Sequence, residues 1–403
     1  MRDRLDAAGL YGHRVAALLD DPLKSSLPPY LANLVVSETV ELSDDWTGDW
    51  TELTKTAFAA LRPYGGTVCL TLSPEDRSRF VAAVEREKFP NSEIDARENG
   101  PTLLSRVGAL PGSADWTHEY GDSANTLMSK DALVKAPLGV LWFGGPAGSG
   151  DLFYNRHYWG PSMAVIGGRM FIQGPGKLTA VDVYTGRVLW QTAVAENEKN
   201  NLGRRGNDFE DRLAGFNYLA VEDGVYLVDG RKGCLRFDPA TGMQVARLTL
   251  PDPDSDWGTI RVKGDLLVAE VFRDIPGDRK QVADDKLPVE LVAMNRHSGE
   301  VVWSKKAEMS FPVAAISDDK VYCFDGALEK FYVDEKRKGL VPKASETRYL
   351  VALDLKTGKE LWKYTTDTIA TLMIYSSPDD LLMVSNRDGM TAYRGDGGKE
   401  LCK

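Results

Sequence analysis

Apolar and polar positions follow two different rhythms along this chain, and the change falls near residue 112. Before it, short apolar runs alternate with helical spacing. Val15 to Leu19 and Asn33 to Val36 are two such runs. Between Thr51 and Leu61, the residues Leu53, Ala57, Phe58, Ala60 and Leu61 make one helical stripe, which Pro63 and the Gly65-Gly66 pair stop. Thr67 to Leu72 predicts a buried strand. Ser73-Pro74-Glu75-Asp76 predicts a helix start, with a side-chain cap, proline in the first turn and acids at the positive end of the dipole. Strands and helices in this order imply a parallel α/β layer, with Glu93 to Glu98 and Thr102 to Arg106 as an antiparallel edge.

After about residue 160, short alternating strands follow one another across Gly, Asp and Asn turns, an all-β pattern. One phrase recurs. It runs from Leu178 to Trp190, from Leu291 to Trp303 and from Leu350 to Trp362, with shorter copies at Leu235 to Gly242 and Thr391 to Gly398. The turn glycines Gly186, Gly242, Gly299, Gly358 and Gly398 lie 56, 57, 59 and 40 residues apart. That near-regular period marks a repeat architecture.

The phrase has a local logic. Alternating apolar residues make a strand. Asp or Asn then accepts from the turn backbone, Gly takes the positive φ, and Trp opens the returning strand. A second hairpin precedes each copy, clearest at Met163 to Ile172 and Tyr218 to Val228. Four strands per repeat predict one propeller blade. The indoles of Trp190, Trp303 and Trp362 are therefore expected to pack between blades rather than to form a ligand cage.

Ala-x-Asp-x-x-Thr-Gly-x-x-x-Trp at 180–190 and 352–362 resembles the repeat of pyrroloquinoline-quinone-type (PQQ-like) β-propellers, and Asp115 to Thr126 is similar to the segment that leads into their first blade. Residues 1–112 resemble the C-terminal part of a class I S-adenosylmethionine-dependent methyltransferase. The resemblance rests on Leu31 to Glu38 and on Phe58 to Thr67. Together they imply a multidomain chain: a partial α/β, Rossmann-like unit at 1–112, a lead-in at 113–160, and four to five blades at 161–403 whose ring is not closed. They also imply a fragment of a longer fusion, in which Val15 to Leu19 slides in beside Asn33 to Val36.

Chemistry is harder to place. No strand, Gly-rich loop and helix precede Val15 to hold S-adenosylmethionine. No adjacent cysteines cover a quinone face. Cys69, Cys234, Cys323 and Cys402 read as isolated thiols. A net charge of −10 argues against nonspecific nucleic-acid binding, and no apolar run is long enough to span a bilayer. His118-Glu119 is weighed as an acid–base pair against a hydrogen-bonded turn. Arg156-His157-Tyr158-Trp159 is weighed as a channel mouth against a blade-entry loop. Arg204-Arg205 and Lys336-Arg337-Lys338 are weighed as anion sites against solvated loops. The second alternative is the simpler in each case, so no catalytic, cofactor-binding or metal residue is assigned. The expected function is a noncatalytic propeller that binds a protein or small ligand. The alternatives are a PQQ- and calcium-dependent oxidoreductase and a methyltransferase fragment. The chain as given carries no signal peptide and would stay cytoplasmic, or be exported if a signal lies upstream.

Overall fold

A computed structural model describes residues 1–12, 15–19, 27–37, 49–143, 152, 162–194, 217–229, 233–274, 286–306, 314–326, 348–366, 372–385 and 389–402. The backbone divides into two compact units, Met1–Pro111 and Gly112–Lys403.

In the first unit, Leu34–Ser37 and Gly66–Leu70 pair in parallel, with the helix Trp50–Ala60 in the connection. Thr102–Arg106 lies antiparallel to Gly66–Leu70 and carries Ser92–Ala96 on its far side. Both helices begin as their sequences dictate. The Asp49 carboxylate accepts from the amides of Thr51 and Glu52, and Ser73 Oγ accepts from Asp76 with Pro74 in the first turn. Phe58, Leu61, Val68, Phe80, Val84 and Leu104 form the core. Into it reaches Arg106, whose guanidinium donates to Phe58 O at 2.6 Å and lies 4.0 Å from the Phe58 ring centre. Gly66 is required where it stands, because a Cβ there would strike the backbone of Arg62 and Ala32.

Val15 to Leu19 does not join this sheet, contrary to expectation. Val15 makes a lone bridge to Tyr11, and Leu18 and Leu19 are 69% and 99% exposed. Its backbone takes local partners instead, Val15 with Leu10 and Gly12 and Ala17 O with Arg2 Nε, and the rest stays in water rather than being buried unpaired, so an apolar run alone does not make a strand here.

Among the described residues, the second unit holds five sheets of four antiparallel strands, each a simple meander. Blade 1 runs from Ala164–Ile166 to Val188–Ala193, blade 2 from Tyr218–Val221 to Gln244–Leu248, and blade 3 from Asp256–Lys263 to Val301–Lys306. Blade 4 runs from Ala315–Ile316 to Glu360–Thr366, and blade 5 from Leu372–Ser376 to Glu400–Cys402. Apolar clusters join blades 1 and 2, 2 and 3, 3 and 4, and 4 and 5. Sheets stacked face to face in series, each with its first strand on the same side, make a propeller.

The repeat turn has the expected geometry. Asp182, Asp238, Asn295 and Asp354 each accept from two amides of the following turn with one side-chain oxygen. The glycine that closes each turn has φ of +68° to +76°. A register shift follows in each case, so that Trp190 stands opposite Ala180, Trp303 opposite Ala293 and Trp362 opposite Ala352.

Candidate binding site

The lead-in Trp116 to Asn125 meets the first strand of every blade, in order. Trp116 and Val165 of blade 1 exchange backbone hydrogen bonds of 2.8 and 2.6 Å. Thr117 O accepts from Ala220 of blade 2 at 3.0 Å. His118 Nε2 accepts from the Val262 amide of blade 3 at 3.1 Å. Ser123 O accepts from Ile316 of blade 4 at 2.8 Å, and Ala124 O from Tyr375 of blade 5 at 3.0 Å. Asn125 Nδ2 donates both to Ala314 O of blade 4 and to Met373 O of blade 5. First strands are sheet edges, and edge groups need partners. One ten-residue segment supplies partners to five edges, so those edges converge on it and it fills the axis between them.

Both ring nitrogens of His118 are engaged. Its Nε2 accepts a backbone N–H, so the proton of the neutral ring sits on Nδ1, 2.8 Å from Thr117 Oγ1. Burial, aided by the positive charge of Arg261, pushes its pKa down to about 3. A histidine held neutral with both nitrogens engaged pins the lead-in to blade 3. Glu119 lies instead in the field of Arg261 and beside Tyr120, its carboxyl raised by burial. Glu270 is only 4% exposed. It accepts from Thr259 Oγ1 at 2.8 Å, and burial pushes it up to about 7 against the pull of Thr259 and Arg261.

At one end of the axis, a cavity of about 630 Å³ opens between the lead-in and the turns of blades 2 and 3. Its rim is ionic. Asp223 takes Arg236 at 3.1 Å and Arg296 at 2.5 Å, and His297 Nε2 lies 3.3 Å from Asp265. Burial alone would raise the Asp223 carboxyl, but hydrogen bonding and charge from Arg296, with Arg236 behind it, hold it below the usual carboxylate range. Arg296 Nε also donates to Gly264 O at 2.7 Å. Thr117, Asp122, Glu222 and Lys263 complete the wall. Charges of both signs are thus paired around an open mouth, and the Thr117 hydroxyl and His118 ring, 2.8 Å apart, lie in the same wall. None of these rim residues stands out in the sequence, because Glu222-Asp223-Gly224 and Lys263-Gly264-Asp265 read as ordinary hairpin turns.

The channel-mouth candidate Arg156 to Trp159 and the basic pairs Arg204-Arg205 and Lys336 to Lys338 lie outside the described residues. The blade indoles are where they were expected. Trp190 Nε1 donates to Pro239 O at 3.1 Å, Trp303 to Leu355 O at 2.8 Å and Trp362 to Gly395 O at 3.0 Å, in each case to the next blade. A fourth such indole escaped the sequence reading. Trp142 donates to Val183 O of blade 1 at 2.9 Å and packs over Gly186. Its signal was Val140-Leu141-Trp142, which repeats Val188-Leu189-Trp190 without a phrase in front of it. All four thiols are free, and burial raises Cys234 and Cys323, the latter to about 12.

A quinone held in the channel with Ca²⁺ needs an empty axis and a cluster of oxygen ligands. The axis here is filled by Trp116 to Asn125. Among the described residues, no group of three or more His, Cys, Asp or Glu side chains could hold a metal ion. The described residues therefore offer no ligand set for that metal and cofactor. No helix among the described residues is long and apolar enough to cross a membrane.

Known proteins share this repeat. Outer membrane protein assembly factor BamB of Yersinia pestis is 23% identical over 302 residues, which is 74% of this chain and 61% of that protein. The chain thus spans about three fifths of the curated relative. Among solved structures, BamB from Moraxella catarrhalis covers 58% of this chain and 57% of its own at 15% identity and a TM-score of 0.36. Quinohemoprotein alcohol dehydrogenase from Comamonas testosteroni covers 72% and 48% at 16% identity and 0.49. Likeness at that level says nothing of function. The sequence model of the PQQ-like repeat family described as "Outer membrane protein assembly factor BamB" matches residues 154–270 and 231–402, and with most of the chain so matched, the protein belongs to that family.

Proposed function

We propose that the chain is a noncatalytic binding propeller, a scaffold for a protein partner of the kind implied by the name of its Yersinia pestis relative, an assembly factor for outer membrane proteins. The observation that carries the reading is the filled axis. Where a propeller enzyme of the quinoprotein type would keep its reaction chamber, this chain places its own Trp116 to Asn125, bonded to all five blades. Binding is then left to the outer surfaces, and the ionic mouth between blades 2 and 3 is the built concavity among them.

The test has two arms. Purified protein is incubated with PQQ and Ca²⁺, then examined for a bound chromophore and for oxidation of alcohols with an artificial electron acceptor. A stoichiometric chromophore with turnover overturns the proposal. In the second arm, a photo-crosslinking residue at Lys263 or at Glu222 should trap a discrete protein in cells. The same crosslinker at Lys356, on a turn of blade 4, is the control. Equal, diffuse labelling from all three positions also counts against the reading.

For Met1–Pro111, the proposal is a remnant of the methyltransferase-like sheet. Support comes from the strand order, a parallel pair joined through a helix and followed by a reversed strand inserted between it and the next strand. Calorimetric titration with S-adenosylmethionine tests whether any cofactor binding accompanies that topology. A remnant lacking the Gly-rich turn should give no heat, and a micromolar Kd would refute it.

A further inference from the structure

Adjacent blades in this chain are joined by one repeated device. An indole from the segment before the blade lies on the turn glycine of that blade and donates to the carbonyl three residues before the glycine. The pairs are Trp142 with Gly186 and Val183 O, Trp190 with Gly242 and Pro239 O, Trp303 with Gly358 and Leu355 O, and Trp362 with Gly398 and Gly395 O. At each of these glycines an added Cβ would come within 2.6 Å of an indole carbon.

The joint between blades 2 and 3 breaks the pattern. In blade 2 the large and small residues are exchanged: Ala246 takes the tryptophan position, opposite Arg236 instead of alanine. Arg236 turns toward Asp223 and does not replace the indole. At the glycine of blade 3, Gly299, an added Cβ would meet Leu248 Cδ2 at 3.3 Å and, among the described residues, nothing else within 4 Å. The carbonyl shows the same gap. In blade 5, Gly395 O accepts from both Trp362 Nε1 at 3.0 Å and Tyr322 OH at 3.3 Å. In blade 3 its counterpart, Arg296 O, accepts from Tyr226 OH, the equivalent of Tyr322, at a long 3.4 Å. A shelf of glycine, a floor of Leu248 and a carbonyl with acceptor capacity left over are the three parts that receive an indole in the other joints. Here they stand beside the ionic mouth, of which Arg296 and His297 form part.

We propose that this joint is a docking socket for a tryptophan side chain presented by a partner polypeptide, with the indole flat on Gly299 and its N–H on Arg296 O. The occupant is specified by the four indoles that fill the same geometry within the chain. The proposal rests on the reading of the protein as a binding propeller.

The probe is a capped peptide of the chain's own sequence Val-Leu-Trp-Gln-Thr-Ala, residues 188–193, titrated into the full chain while backbone amide shifts are followed by NMR. Saturable shifts confined to Arg296 to Glu300 and to Ala246 to Leu248 are expected. A version with Phe for Trp should bind several-fold more weakly, since it fills the shelf without donating, and an Ala version should not bind. The variant Ala246→Trp should fill the socket in cis, raise Tm and abolish the response. Should that variant fail to fold, Ala246→Leu serves to block the shelf. Shifts that are absent, that are equal for the Ala peptide, or that persist in the filled variants overturn the socket. Such a failure leaves the binding propeller standing if the crosslinks from Lys263 and Glu222 remain discrete. Turnover with quinone would instead remove the broader reading while the peptide shifts stayed as measured.

Discussion

Two buried groups near the axis should give this protein opposing responses to acid that nearly cancel. His118 is held at a pKa of about 3, against 6.5 for a free histidine. Below pH 6.5 the unfolded chain binds a proton there and the folded chain does not. Its contribution is therefore complete above 6.5 and is lost as pH falls toward 3. From pH 8 to pH 5 the linkage integral amounts to a loss of about 2 kcal/mol. Glu270 works the other way. Its folded pKa is about 7 against 4.5 unfolded, so the folded chain takes up a proton first. Acidification from pH 8 to pH 5 returns roughly 2 to 3 kcal/mol. Neither group is among the causes of the other's shift, but both feel Arg261, so the double variant Glu270→Gln with His118→Gln should depart from the sum of the single ones by no more than that shared coupling. Urea denaturation at pH 8 and pH 5, followed by tryptophan fluorescence, provides the assay, since seven of the nine tryptophans lie beyond residue 112. For these two groups, wild type should change little, Glu270→Gln should lose about 2 kcal/mol on acidification, and His118→Gln should gain a similar amount. Only the difference between the two pH values matters, so the hydrogen bond that the histidine variant disturbs cancels to first order. Parallel pH profiles for wild type and His118→Gln would refute the neutral, pinned histidine.

Other tests follow from single contacts. Trp142→Ala should cost about 3 kcal/mol in urea denaturation, the usual range for a packed aromatic, because blade 1 would lose both the ring over Gly186 and the bond to Val183 O; a change below 0.5 kcal/mol would show that Trp142 is not a blade indole. Asn125→Ala frees two buried carbonyls, Ala314 O and Met373 O, and should cost about 1–3 kcal/mol, with faster amide exchange at 372–376 than at 164–166. Gly66→Ala should unfold the first unit selectively, seen as loss of amide protection at 66–70 and 102–106 while blades 1 to 5 stay protected. Asp223→Asn should loosen the ionic rim and make the exchange of Arg296 to Gly299 amides less sensitive to salt than in wild type.

What the sequence made legible was local. The Asp-x-x-Thr-Gly turn announces itself because every partner is close in sequence: the Gly358 amide donates to Asp354 O and the Thr357 amide to the Asp354 carboxylate. The capped helices at Trp50–Ala60 and Pro74–Glu87 are local in the same way. Val15 to Leu19 misled, since an apolar run states a preference for burial but names no partner. The axis was invisible for the opposite reason: Trp116 to Asn125 is mostly polar, and its partners lie up to 248 residues away. His118 could be read only as a residue beside Glu119, when its role is fixed by an amide 144 residues downstream. The blade 2 exception was legible in part. Ala246 in a tryptophan position is plain once the repeats are aligned, but the open shelf over Gly299 needs coordinates.

The lead-in is collinear with what it binds: Trp116, Thr117, His118, Ser123 and Ala124 engage blades 1, 2, 3, 4 and 5 in that order, and the Asn125 side chain bridges blades 4 and 5. During synthesis from the N-terminus, this segment emerges before any of the five blades exists. Each new first strand then finds its partner groups already waiting, displaced along the segment from those of the blade before. Contacts that span 144 to 248 residues are slow to form by chance closure, yet here each closure shortens the search for the next, because the previous blade already holds the segment in place. The same collinearity restricts evolution of the repeat. Exchanging two blades, which nearest-neighbour packing alone would tolerate, would cross the segment's bonds, so the order of the blades is written into ten residues that lie outside all of them.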